Sequence, residues 1–214
     1  MILYDPQTRE EWLKCRCRGI GGSDAGAILG VNKYKTNLEL WEEKTGAKHK
    51  GEISNEAINY GKSAEKHIRE LFLLDYPCFA SEYHEYRMYA NDTYPFLYAT
   101  LDGELTDQDG TKGVLEIKTT TIRNSSQWDE WEGRIPESYY AQALHQLITT
   151  GWDFVILRAY IRYMKSDEIR ATVRDYKILR EDVSDDMEAL ISQEINFWEC
   201  VKNKKEPALI LPEI

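Results

Sequence analysis

The chain has 214 residues, 42% of them hydrophobic and 30% charged, with a formal net charge of -10. That mix is too apolar for a disordered chain, and the length suits one domain, residues 1–214, around one core. No apolar run approaches the roughly 18 residues that cross a bilayer, and residues 1–14 read as amphipathic rather than signal-like, so the chain is expected in the cytoplasm of a bacterium or a phage-infected host, away from membrane.

In chain order, residues 6–17 form a short amphipathic helix, Ser23 or Asp24 caps a helix through Leu29, and Asn37 caps another that ends near Gly46. Ser54 begins a longer helix in which Ile58, Ala64, Ile68, Leu71 and Phe72 recur at helical spacing until Pro77, placing Glu65 beside a buried face. The period then changes. Residues 81–89 are rich in aromatics, and residues 96–105 and 114–121 read as neighbouring antiparallel strands around the turn residues Asp107, Gln108, Asp109 and Gly110. The polar stretch 124–134 with Trp128 and Trp131 reads as a loop, Pro136 opens a helix to Gly151, strands follow at 154–163 and 169–179, and a helix covers 182–202.

Cys15, Cys17, Cys78 and Cys200 show neither paired C-x-x-C spacing nor histidines at zinc-ligand intervals, which disfavours a zinc site, a disulfide framework or an iron–sulfur cluster. The acidic balance argues against a broad nucleic-acid surface. It leaves room for a site that gathers carboxylates around a metal and needs cations only along the path of a substrate.

The chemistry concentrates in two segments. Glu116 and Lys118 are two apart on a strand and share a face, while Ile117 points into the core. Asp102, with Gly103 after it, brings a second carboxylate from the neighbouring strand. Two carboxylates and a backbone carbonyl, that of Ile117, make a hard-oxygen set suited to magnesium. Phosphodiester hydrolysis needs a metal to activate water and neutralise the leaving oxygen, and a cation such as Lys118 to orient the nucleophile or take up a proton. Either short motif alone reads more readily as a solvated strand pair or a turn; their order and hairpin placement together favour a site.

At this point the sequence resembles the PD-(D/E)xK nuclease superfamily, and within it the lambda-exonuclease and YqaJ-like viral recombinase group. The resemblance rests on residues 12–16, Ile20-Gly21-Gly22-Ser23-Asp24, Gly61-Lys62-Ser63-Ala64-Glu65, Leu101-Asp102-Gly103, Leu115-Glu116-Ile117-Lys118 and Tyr140-Ala141-Gln142. It implies an α/β fold with a central mixed β-sheet flanked by α-helices, a restriction-endonuclease-like core. It further implies metal ligation by Asp102, Glu116, the Ile117 carbonyl and Glu65, with Lys118 assisting the attacking water and Gln142 near the site. Magnesium is the expected ion, with manganese as a substitute. Arg16 and Ser23, in a glycine-rich turn before a helix, match a terminal-phosphate pocket; Arg18 is the alternative arginine, and Arg123 would add a phosphate contact. The implied activity is 5′-to-3′ exonuclease digestion of linear duplex DNA in recombination, by a homotrimeric ring working with a single-strand annealing protein. An endonuclease of the same superfamily and a DNA-binding protein without activity are the rivals. The roles of Trp128 and Trp131 stay open.

Overall fold

The computed structural model describes residues 2–48 and 55–211, so the expected helix start at Ser54 lies outside the described residues. Nine strands are described, in two sheets. Strands β1 (Ile2–Tyr4), β4 (Met88–Ala90), β5 (Leu97–Ala99) and β2 (Ile20–Gly21) form a four-stranded sheet in the order β1-β4-β5-β2. Strands β3 (Ala80–Glu82), β6 (Gly103–Thr106), β7 (Lys112–Ile122), β8 (Phe154–Lys165) and β9 (Glu168–Leu179) form a five-stranded sheet in that order. The central β7 runs antiparallel to β6 and parallel to β8. This mixed α/β architecture is the fold class expected from the sequence.

Seven α-helices are described: α1 (Arg9–Arg16), α2 (Gly22–Ile28), α3 (Asn37–Thr45), α4 (Glu56–Asp75), α5 (Ser125–Asp129), α6 (Glu137–Thr150) and α7 (Ser184–Lys202). Helix α4 covers one face of the five-stranded sheet, its Ile68 and Phe72 packing on Leu115, Ile117, Phe154 and Ile156. Helix α6 lies on the other side with α2 and α7 behind it, and Leu144, Leu147 and Ile148 share a core with Val114, Val155 and Leu190. Alternation along β7 therefore sends Ile117 towards α4 and Glu116 and Lys118 towards α6.

Several expectations need correction. The strand expected at 96–105 is two strands in different sheets, because the chain leaves β5 after Ala99 and joins β6 at Gly103. Asp102 sits in that crossing. The 124–134 loop contains α5, capped by Asn124, whose Oδ1 accepts from the Gln127 amide at 3.0 Å. Helix α2 starts one residue ahead of Ser23 with Gly21 as its cap, and α3 is capped by Thr36 in a capping box with Glu39. Within α4, Asn55 is the cap, and Ile58 and Leu71 are exposed, so the buried stripe is narrower than its periodicity suggested. The first helix is shorter than 6–17, capped by Thr8, and residues 2–4 ahead of it form an edge strand that no alternation announced.

Candidate active site

The site forms where β6 separates from β7. The last pairing in that direction is Gly103 with Leu115, so the next stretch of β7 faces the chain crossing between sheets instead of a partner strand. Asp102 fills the gap: its Oδ2 accepts the Ile117 amide at 2.8 Å. In an extended strand a residue's N–H and C=O project to the same side. The Ile117 carbonyl thus faces Asp102 and not β8. Arg69, one turn beyond Glu65 on α4, fixes the crossing from outside by donating Nε to the Asp102 carbonyl at 2.6 Å, its guanidinium lying 3.7 Å over the Tyr83 ring.

Glu116 is 2% exposed and saturated with donors. Its Oε1 accepts from Gln142 Nε2 at 2.7 Å and lies 2.7 Å from Lys118 Nζ, while Oε2 accepts from Gln146 Nε2 at 2.6 Å. Lys118 also donates to Gln142 Oε1 at 2.9 Å and sits 4.9 Å over the ring of Tyr139. Residues 139, 142 and 146 line one side of α6, so a single helix face orients both charged groups of β7. Helix α2 packs closely beside that face: a Cβ on Gly22 would lie 3.1 Å from the Gln142 side chain.

Electrostatics follow from burial. Desolvation, reinforced by the charges of Glu116 and Glu65, holds the Asp102 carboxyl well above the usual aspartate range. Burial and then Glu116 push Glu65 up too. For Lys118 burial favours the neutral amine, but Glu116 and Asp102 outweigh it and keep the ammonium charged beyond its ordinary range. Helix α4 comes near β7 at Gly61, where an added Cβ would meet Thr119 Oγ1 at 3.0 Å; Glu65 is one turn further on.

The structure thus brings together Asp102, Glu116, Ile117, Lys118 and Gln142, with Glu65 near enough to feel their charge. Among the described residues no three His, Cys, Asp or Glu side chains converge on a single metal position. Two carboxylates and a carbonyl still fit an ion such as magnesium, which keeps several waters and takes only one or two carboxylates from a protein. Sequence reasoning missed Gln146, Arg69 and Tyr139. The spacing of Gln142 and Gln146, four apart on the helix after the Glu-Ile-Lys strand, was the signal available for the first.

Arg16 and Ser23 lie together, with Nη2 donating to Oγ at 2.8 Å and the Arg16 guanidinium 4.8 Å over Trp12. Their neighbour Asp24 is buried, accepts the Gly21 amide at 3.0 Å and pairs with Lys44 at 2.7 Å. Burial opposes its charge, but Lys44 and Arg16 prevail and hold the carboxyl below the usual range. Arg123 stands apart, exposed just beyond the end of β7.

The order of these segments matches a known family model, the YqaJ-like viral recombinase domain, over residues 11–153, well over half of the chain. The chain belongs to that family. A relative within it, the uncharacterized protein YqaJ of Bacillus subtilis (strain 168), is 35% identical over 204 residues, covering 94% of this chain and 59% of the relative. The chain therefore spans about three-fifths of that protein's length. Among solved structures, the alkaline exonuclease LHK-Exo from Laribacter hongkongensis superposes with a TM-score of 0.70 at 19% identity, over 92% of this chain and 94% of its own. A phage related exonuclease from Haemophilus somnus 129PT gives 0.58 at 12%, over 87% and 96%. At such identities the likeness to the two exonucleases is one of fold. The segments that carried the sequence resemblance, residues 12–142, all lie inside the matched family region.

Proposed function

We propose that the chain is a divalent-metal-dependent deoxyribonuclease that hydrolyses phosphodiester bonds of linear duplex DNA from a 5′ end, generating single strands for recombination. The observation that carries this reading is the junction itself, where Asp102, Glu116, the Ile117 carbonyl and Lys118 meet on one edge of β7 left open by the departure of β6. Family membership and the exonuclease folds of the structural relatives support it. So does the dAMP complex of LHK-Exo, which superposes with a TM-score of 0.65 at 20% identity.

Asp102, Glu116 and the Ile117 carbonyl would hold magnesium, or manganese in its place, with Glu65 contributing from α4. Such an ion supplies activation of water and neutralisation of the departing oxygen. The chain's own residues do the positioning. Gln142 and Gln146 fix the Glu116 carboxylate, and Lys118, charged and steered by Glu116, Gln142 and Tyr139, would offer a hydrogen bond that orients the attacking water. Arg16 and Ser23 would receive a terminal 5′-phosphate, and Arg123 a phosphate beyond the catalytic strand. A ring of three copies would retain DNA by enclosure where a net charge of -10 gives little attraction, and a single-strand annealing protein would take the product strand.

The test is digestion of 5′- and 3′-end-labelled linear duplex beside closed circular DNA, in magnesium and in chelator. Early release of 5′-labelled mononucleotide, an intact circle and no reaction in chelator are expected. Nicking or linearisation of the circle would assign an endonuclease instead.

A further inference from the structure

Beyond Lys118 the face of β7 that carries Glu116 continues through Thr120 to Ile122, about 13 Å along the strand. There it opens into a cavity of about 500 Å3, with Ile122, Trp128, Tyr163 and Met164 as apolar walls and Arg123 and Asn124 at its rim. The two tryptophans of this region part company. Trp131 is 3% exposed and belongs to the core with Leu157, Ala159 and Ile161, whereas Trp128 is half-buried against the cavity, its ring 5.2 Å from that of Tyr163 at 70°. Met164 is 60% exposed, an apolar side chain standing in water beside two aromatic rings. The Arg123 guanidinium pairs with no carboxylate among the described residues, although most of the chain's other arginines are in ion pairs or over rings.

An aromatic and aliphatic slot with one uncommitted arginine at its rim matches one unpaired nucleotide: the base has a flat apolar face for the rings, and its phosphate suits the guanidinium. The volume lies within the usual range for pockets that take a molecule of that size. Its place about 13 Å along β7 from Lys118 favours a DNA strand over a protein segment, since a strand held at Lys118 needs only a few nucleotides to cover that distance. Building on the nuclease reading, we infer that the Trp128–Tyr163 cavity is a base-binding subsite for an unpaired nucleotide a short distance from the scissile phosphate, with Arg123 on the adjoining phosphate. Recognition by stacking would make it tolerant of sequence, as suits an enzyme that degrades whole strands.

The experiment measures binding of the full chain, in calcium to suppress turnover, to end-frayed duplexes that each carry one abasic nucleotide at a successive position of an unpaired strand. Wild-type protein should lose roughly tenfold in affinity at one position and little at the others. Trp128→Ala should bind the intact DNA more weakly and lose that positional penalty, and Trp128→Phe should restore it. Because Trp128 also packs on Tyr163, Arg123→Ala at the exposed rim provides a second variant: it should weaken intact DNA and shrink the salt dependence of binding. Indifference of the wild type to every abasic position, as a protein-docking face would give, overturns the subsite, and so does a full penalty retained in Trp128→Ala. Cleavage of unmodified duplex by wild type in magnesium separates the two readings. Cleavage without positional sensitivity refutes the subsite alone, and absence of cleavage refutes the nuclease.

Discussion

Gln146 and Glu116 meet at 2.6 Å across the space between α6 and β7, and Gln142, one turn earlier on the same helix, holds the other carboxylate oxygen at 2.7 Å. A carboxylate gripped by two neutral amides keeps its direction, which a ligand for a metal requires. Gln146 is 1% exposed, so its amide acts through Glu116 and not on a substrate.

Replacing Gln146 with Leu, close to it in volume, should lower magnesium-dependent cleavage and metal affinity by about 10- to 100-fold while the fold persists. Gln142→Ala should act in the same range, and the double variant should lose less than the product of the two, because both act on one carboxylate. Isothermal titration with magnesium and single-turnover cleavage on the purified variants check both statements. Wild-type metal affinity in Gln146→Leu would show that the carboxylate needs no such support.

In the glycine-rich turn, Arg16→Ala should reduce the advantage of a 5′-phosphorylated duplex over its 5′-hydroxyl counterpart by about tenfold, the scale of a lost charge-assisted contact. The rates of the two substrates, measured side by side at several salt concentrations, decide it. An equal slowing of both would assign Arg16 to general backbone binding or to holding Ser23.

Stability should have a defined pH window. His145 is fully buried, with Nδ1 2.6 Å from Glu194 Oε1 and Nε2 2.8 Å from the Tyr98 carbonyl. Both nitrogens face acceptors, so the ring is held as the cation. Burial opposes that charge, but Glu194 and the carbonyl override it and raise the histidine above its ordinary 6.5. A raised pKa contributes stability that is complete below about 6.5 and fades as pH climbs through the folded value. Asp24, depressed, works in the opposite sense: its contribution is present above 3.8 and is lost as pH falls through the lower folded value. The midpoint of thermal unfolding should therefore decline on both sides of a mildly acidic optimum. His145→Gln should flatten the alkaline limb and leave the acid limb in place. An unchanged alkaline limb in that variant would remove His145 as its source.

How far the sequence disclosed this arrangement depends on the range of the interactions involved. The Glu116-Ile117-Lys118 strand was legible because a period of two leaves no choice about which side chains share a face, and Asp102 because its segment precedes a strong hairpin turn. That residues 96–105 divide between two sheets was not, since the change of partner at Thr100 to Asp102 depends on which of β2, β4 and β7 each half pairs with, and no alternation within the segment encodes that. The same holds for Arg69, whose contact with the Asp102 carbonyl spans 33 residues. Helix α5 was missed because five residues carry too little periodicity to separate a helical turn from a polar loop. Trp128 and Trp131 look alike in sequence, and only the closure of α5 over β7 and β8 buries one and leaves the other at a cavity.

Whether the edge of β7 left open by β6 is a metal-dependent nuclease centre is decided by single-turnover cleavage of a 5′-phosphorylated linear duplex in magnesium by wild type and by Asp102→Asn, Glu116→Gln and Lys118→Ala, with circular dichroism on each. Wild type should cleave in a reaction that chelator abolishes, every variant should lose at least about 100-fold with native-like spectra throughout, and of the three only Lys118→Ala should retain magnesium binding. Wild-type rates in the three folded variants, or cleavage that persists in chelator, would contradict that assignment.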